Sequence, residues 1–559
     1  MQTSMLARIR AFLLLPLLAA TALAQGAPEP AFTHEFGALD SKGSFRVRFA
    51  TAGAGIVFLQ AGDHYPTLAD ARKEKHEGSD YLLLAVNGAD HALRLTPATP
   101  LPVDLVRDTW QVTTKTSAEV AFELDLKNGL VLQKILRHDP QQRGFVLELG
   151  LRNDRAQLAG TLDLTLDGAT LIVPHESGLF GTLAGALAVA ADGTVQHVVP
   201  KAGVVQPLTI DGKNLTFAGS TNRFFGAFLW PKDDIAKAAL TGAEADTLPH
   251  AEDKDTQTLA NTTMRVRYSL KLPIPAAGAA TRATFGLYFG PKSFRVFDTL
   301  PEPQRFAAAV DADLAGACCG VEVPGGRTMA KFLLWLLGVF HDFIGGWGFA
   351  IMMLTISVRG ALAYVNFRMQ KSMRVYASKM SVLKPKLDAL KQKHGDDKAA
   401  YQQAMIAFQR EHKLLPPLGG CLPVFLTMPI YIGLFTALRT AYDVRQQPFL
   451  WIADLSRPDA LFALPFFPHQ FNLLPLVWIA MFLWLQLRMP LPTDPQQRQI
   501  QQIMRFMPLL FGVMLYNYAG ALLVYMVTSM LWSVVESAII KKILGPIDPS
   551  VAAMTPTTI

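Results

Sequence analysis

The run Gly346–Val365 (GWGFAIMMLTISVRGALAYV) is long and apolar enough to cross a bilayer as a single helix, yet it carries an arginine, Arg359, well inside it. Those two facts restrict this chain more than any others. The next charged residue after Arg359 is Arg368, so at about 1.5 Å per residue the guanidinium starts roughly 13 Å from the nearer water interface. Snorkelling of the side chain covers only part of that distance. Insertion scales place a central arginine at about +3 kcal/mol, so a helix tolerates it most cheaply when it faces water or a partner inside a helical bundle. Thr355 and Ser357 add polarity to the same segment. Two readings stay open on these grounds: a functional cation, and an arginine whose hydrogen bonds serve only to hold helices together.

The 559 residues are 50% hydrophobic and 17% charged, too apolar for an ordinary soluble protein and too charged for a pure membrane bundle. A polar domain and a membrane domain in series satisfy both figures. The net charge of +7 does not point to nucleic acid, because the basic residues gather in one loop between apolar runs, where anionic lipid and the positive-inside rule account for them. The three cysteines, Cys318, Cys319 and Cys421, form neither a disulfide framework nor a metal-ligand spacing. No metal or other cofactor is called for.

Residues 1–24 have a basic start at Arg8 and Arg10, an apolar core, and the small-residue pattern Ala22-Leu23-Ala24, which is the form of a signal peptide or an uncleaved N-terminal signal-anchor. Residues 25–325 are expected to form an exported, all-β domain. Apolar and polar residues alternate there in short runs, as in Phe45-Arg46-Val47-Arg48-Phe49 and in 161–166, and Asn128-Gly129 predicts a two-residue hairpin turn between 120–127 and 130–136. The absence of interleaved helical periods favours a two-layer sandwich over a parallel α/β sheet. His138, Asp139, His175 and Glu176 are scattered without a catalytic spacing and read as solvated strand ends and loops.

From about Pro301 the pattern becomes helical. An amphipathic helix is expected at 326–345, lying along the membrane surface, followed by a five-span core at 346–545 and a short tail at 546–559. The spans after the Arg359 helix are Leu418–Tyr442, Phe471–Met489, the short Met504–Tyr516, and Ala521–Ile540. The intervening segment 366–413 carries Arg368, Lys371, Arg374, Lys379, Lys384, Lys386 and further basic residues, which places it in the cytoplasm and the β domain on the opposite, periplasmic side. Helical spacing of Met369, Met373, Met380, Leu383, Leu387 and Leu390, with Gly395 as a stop, makes 366–413 a helical hairpin.

In these segments the chain resembles the YidC/Oxa/Alb family of membrane protein insertases, in its bacterial form with a large periplasmic domain. The residues that carry the resemblance are SVRGALAY around Arg359, KMSVLKPKLDALKQKHGDD in the basic loop, PLGGCLPVFLTMPIYIGLF entering the next span, DPQQRQIQQIMRFMPLLF before the fourth, and, less specifically, LYFGPK at Leu287–Lys292. The resemblance implies a β-supersandwich for the periplasmic domain and a five-helix insertase bundle with a cytoplasmic hairpin. It implies a hydrophilic groove, open to cytoplasm and lipid, in which Arg359, Thr355 and Gln486 are polar groups, while Met428, Tyr431, Met514 and Tyr525 guide the client's apolar segment. The partners it implies are nascent membrane proteins, the Sec translocon with its accessory subunits, membrane lipids, and ribosomes through the basic hairpin 366–413. The family's proline five residues after the arginine is Tyr364 here, and its proline-serine-glycine turn before the last span is Ala519-Gly520-Ala521.

Two competing classes receive less from the residues. A secondary transporter or channel for a small anion would use Arg359 for recognition, but it predicts internal repeats with matching broken helices, and none is evident between the first and last pairs of spans. A membrane-embedded enzyme needs a nucleophile, base or metal set, and the spans hold no HExxH, GxSxG or paired aspartates. The chain reads as a membrane insertase and chaperone, not an enzyme.

Overall fold

The computed structural model describes residues 31–86, 91–154, 159–171, 184–199, 201, 204–208, 215–249, 262–302, 305–314, 325–394, 398–411, 418–465, 470–487 and 506–545. The expected signal or anchor segment, the tail 546–559, and His175 and Glu176 lie outside the described residues. The chain divides into two compact units, Met1–Val310 and Asp311–Ile559.

The first unit is built on a nine-stranded antiparallel sheet. Ala280–Pro291 is its central strand, flanked by Phe225–Pro231 and Gly144–Asn153, and its edges are Val195–Val198 and Gln111–Thr116. A four-stranded meander (Ala31–Phe36, Phe45–Ala50, Ile56–Ala61, Leu82–Val86) and a five-stranded sheet centred on Thr262–Pro273 complete it. The alternation in the sequence becomes alternate burial: Phe45, Val47 and Phe49 point inward, as do Leu162, Leu164 and Leu166. The meander packs on the large sheet through aromatic rings, with Phe36 and Phe45 each 5.1 Å from Phe145. On strands of the large sheet, Phe217, Phe228, Trp230 and Tyr288 surround Phe306, each 5.1–5.2 Å from it. Trp230 lies directly over Gly286, where a Cβ would collide with the indole.

The turn at Asn128-Gly129 differs from the two-residue form. Strands Glu119–Asp125 and Leu130–Asp139 pair with Asp125 opposite Val131, so three residues, Lys127 to Gly129, make the connection. Lys127 (φ 59°) and Gly129 (φ 90°) are left-handed, and the Asp125 carboxylate accepts from the Lys127 amide at 2.8 Å. That local bond holds the longer turn. His138 is no loose loop residue either: its Nε2 meets Gly43 O at 2.7 Å.

Lys134 is wholly buried in the first unit. Its Nζ donates to the carbonyls of Gly53 (3.3 Å), Ala54 (3.0 Å) and Leu93 (2.7 Å) and sits 4.9 Å from the Trp110 ring centroid. Burial, with the nearby Arg94 charge, pushes this amine down to about 7.

In the second unit the helix Gly326–Ile344 ends where Gly345 turns left-handed (φ 83°) and its amide donates back to His341 O. Leu333 and Leu337 face inward on this helix, while Phe332, Trp335, Val339 and Phe343 are exposed. Trp347–His394 follows as one continuous helix. The sequence reading ended the span near Val365, but Tyr364 supplies no break, Pro385 is accommodated, and the helix runs on to the residue before Gly395. Then come Lys398–Glu411, Leu418–Thr440, Leu473–Leu487, a helix over 506–514, and Gly520–Leu544. Trp347–Ser372 and Gly520–Leu544 are long and apolar enough to cross a membrane, and Leu473–Leu487 is a shorter apolar helix.

Between Leu418–Thr440 and Leu473–Leu487 the loop is structured. Asp459 Oδ2 accepts from the amides of Leu473 (2.8 Å) and Leu474 (2.9 Å), capping the following helix, and Asn472 Nδ2 donates to Tyr516 O at 2.8 Å. The last helix is capped in the same way by backbone: the amides of Gly520 and Ala521 donate to the carbonyls of Arg457 (2.7 Å) and Leu455 (2.8 Å).

Candidate functional site

Thr355, Arg359 and Asn366 are separated by four and seven residues, which puts them on one face of the helix Trp347–His394. Opposite them, Tyr525, Ser529, Ser533 and Glu536 share one face of Gly520–Leu544 by the same spacing. Arg359 Nε donates to Ser529 Oγ at 2.9 Å and Nη2 donates to the same oxygen. Asn366 Nδ2 approaches Glu536 Oε2 at 3.5 Å. Both pairs advance by seven residues along both helices, so the two helices run parallel.

A third helix, Leu418–Thr440, brings Tyr431 to the arginine, with Cζ 5.2 Å from the ring centroid. A cation over a tyrosine face gains about 0.5–2 kcal/mol, the upper end applying where water is excluded. Thr355 is 1% exposed and its hydroxyl donates to Ile351 O at 2.7 Å, so it lines the site without offering a free proton. Thr355, Arg359, Ile430, Tyr431, Leu434 and Tyr525 bound a cavity of about 10 Å³, near the lower limit for one water molecule. Both partners of the guanidinium are neutral, and among the described residues no carboxylate lies within ion-pair distance of it. The cation therefore keeps its charge available for a ligand.

Four of the residues named from the sequence, Thr355, Arg359, Tyr431 and Tyr525, are thus brought together. The other three are not lining residues of this cavity. Met428 is exposed, one turn before Tyr431 on the same helix, Met514 is exposed on the helix 506–514, and Gln486 is half-buried near the end of Leu473–Leu487. Ser529, Asn366 and Glu536 were not foreseen as site residues. Glu536 was within reach of the reasoning that found Arg359, since it is the sole acid in the apolar stretch Ala521–Ile540. Among the described residues no group of three or more His, Cys, Asp or Glu could hold a metal ion.

Residues 339–546, which contain the whole of this site, match the family model described as "60Kd inner membrane protein". The membrane protein insertase YidC of Neisseria meningitidis serogroup C (strain 053442) is 35% identical over 274 residues, 48% of this chain and 45% of the relative. That of Aeromonas hydrophila subsp. hydrophila is 36% identical over 277 residues, 49% and 45% of the two chains. The matched stretch thus spans about half the length of the curated relatives. A solved structure titled as an active YidC insertase with its first transmembrane domain resolved aligns with 95% of this chain and 99% of its own, at 16% identity and a TM-score of 0.33. The helices that hold Arg359, Tyr431 and Ser529 in place fall within residues 339–546, the stretch matched by the family model, and the chain is similar over about half of its length to membrane protein insertases named YidC.

Proposed function

We propose that this protein inserts newly made integral membrane proteins into the bacterial inner membrane and assists their folding. The observation that carries the reading is Arg359, a cation deep in an apolar helix, held by a serine hydroxyl and a tyrosine ring and left without an ion-pair partner among the described residues. A polar tail entering apolar surroundings loses hydration, and a desolvated positive charge offsets part of that loss for an acidic tail. The client's apolar segment then moves into lipid, and the hydrophobic effect drives the step without ATP.

On this reading the helices from Trp347 to Leu544 form a five-span core. Arg359, Thr355 and Gln486 are its hydrophilic groove, and Met428, Tyr431, Met514 and Tyr525 guide the client, the methionines because they repack around varied side chains. The helices either side of Gly395 are a cytoplasmic hairpin whose lysines and arginines meet lipid headgroups and ribosomes. The β domain is a periplasmic supersandwich, the C terminus is cytoplasmic, and Gly326–Ile344 rests its exposed aromatic face in the membrane surface. The Sec translocon is a partner for larger clients.

The test is insertion of a small single-span client with an acidic N-terminal tail into proteoliposomes that contain only this protein. Protease protection of the tail above that in empty liposomes is the expected result. No protection, from protein shown to be folded and correctly oriented, would refute autonomous insertion.

A further inference from the structure

The last membrane helix carries a single acid in its apolar stretch, and that acid is buried: Glu536 is 8% exposed. Its Oε2 has one long contact, to Asn366 Nδ2 at 3.5 Å, and its Oε1 is closed off from solvent with no hydrogen-bond partner among the described residues. A buried acceptor left in this condition is costly, the more so in a membrane helix. Its position is fixed by the register of the parallel helices. Asn366 and Glu536 form the pair two turns beyond Arg359 and Ser529, about 10 Å along the axis. Glu536 shares the helix face that carries Ser529, the acceptor of the Arg359 guanidinium, so it belongs to the same site. The groove is therefore dipolar, with a cation at its centre and an anion nearer the helix end that carries Lys541 and Lys542.

We propose that Glu536 is a second client-binding position, which takes a lysine or arginine side chain of the inserting tail. The proposal rests on the insertase reading and deepens it. An extended chain advances about 3.3 Å per residue, so the 10 Å between the two positions corresponds to about three residues. A tail that leads with an aspartate or glutamate and follows it, about three residues later, with a lysine or arginine places each charge against its opposite. The same residues in reverse order place like charges together. The groove then reads the order of charges in a tail as well as their sum.

The experiment uses the full-length protein in proteoliposomes and two clients of identical composition, one acid-leading and one base-leading with the same spacing of three. Wild type is expected to insert the acid-leading client about tenfold faster, the size expected for one charge-assisted contact. Glu536→Gln, which keeps shape and volume, is expected to remove that advantage. Carbodiimide coupling supplies a readout independent of transport: the tail lysine of the acid-leading client should become linked to Glu536, and this link should be missing in Glu536→Gln. Equal insertion of the two clients by wild type, or no link at Glu536, overturns the proposal and leaves the insertase reading standing. A rise in insertion of every acidic tail in Glu536→Gln also overturns it, since Glu536 would then only temper Arg359. If wild type inserts no client at all, the insertase reading falls and takes this proposal with it.

Discussion

Replacing Arg359 by alanine should impair clients with acidic tails far more than clients with neutral ones. The guanidinium meets two neutral partners, the Ser529 hydroxyl at 2.9 Å and the Tyr431 ring at 5.2 Å, and so retains its charge for an incoming carboxylate. A hydrogen bond involving a charged group contributes about 1.5–3 kcal/mol net, and each 1.4 kcal/mol is a factor of about ten. On the insertase reading, loss of one such bond should lower occupancy of the site by an acidic tail about 10- to 150-fold. The bare attraction between unit charges 4 Å apart at an effective dielectric near 20 is about 4 kcal/mol, which caps the figure before desolvation is subtracted. A neutral tail of equal length makes no such bond and should slow by no more than about threefold. Collapse of the helix pair does not confuse the result, because the freed Ser529 hydroxyl has the carbonyl one turn back as an alternative acceptor, as Ser533 already does with Ser529 O at 3.0 Å. Arg359→Lys, which keeps the charge and loses the planar fork, should recover most of the rate. The assay is the initial rate of tail protection in proteoliposomes for two clients that differ only in tail acids. Equal losses for both clients would refute the reasoning and assign Arg359 to helix packing.

Three further outcomes concern stability. Lys134→Met leaves the carbonyls of Gly53, Ala54 and Leu93 without their shared donor; at about 1 kcal/mol or more each, the β domain of the full-length protein in detergent should melt about 6–12 °C lower by circular dichroism. Burial holds the Lys134 amine down to about 7, so between about pH 7 and 10 the unfolded chain binds more protons than the native one. Stability of the β domain should rise with pH across that window in wild type, and the contribution should be missing in Lys134→Met. Gly144→Ala and Gly348→Ala should each cost about 1–3 kcal/mol in thermal unfolding, the first because the new methyl meets Leu287 O in the neighbouring central strand, the second because it meets the Phe449 ring. An unchanged melting temperature in either would show that the neighbour yields freely.

The period of two in 45–49 and 161–166 was enough to assign strands and inward faces, because burial on one face of a sheet imposes that period directly. The order of strands was not legible. Phe225–Pro231 lies between Leu215–Thr221 and Ala280–Pro291, and nothing near residue 230 in the sequence points to residue 286. The 127–129 turn was misjudged because Asn-Gly speaks for a two-residue loop, while the Asp125 side chain, acting two residues ahead, stabilises a three-residue one. Arg359 stood out because a membrane helix rarely holds an arginine. Its acceptor did not, since one of the three serines of the last helix is unremarkable until the fold sets it, 170 residues away in sequence, against a guanidinium.

What keeps Arg359 opposite Ser529 is not confined to the groove. A slide of the last helix by one residue along the arginine helix, about 1.5 Å, would stretch the 2.9 Å bond to about 3.3 Å and weaken it, and would shift Glu536 relative to Asn366 as well. The start of the last helix is held by the Arg457 and Leu455 carbonyls, and the start of the arginine helix is seated where Phe449 closes over Gly348. Phe449 and Ile452 exchange backbone hydrogen bonds (2.9 and 2.8 Å), and Asp454 Oδ1 accepts from the amides of Gln446 and Ser456, so both anchors belong to one stiff loop. The loop therefore fixes the relative height of the two helices, and with it the spacing of the polar positions in the groove. Asp454→Ala, which removes the acceptor at the centre of that loop while touching no groove residue, should loosen the register and reduce insertion of acidic and neutral clients alike. That pattern is opposite to the one expected of Arg359→Ala, and the two variants measured side by side separate loss of the charge from loss of its alignment.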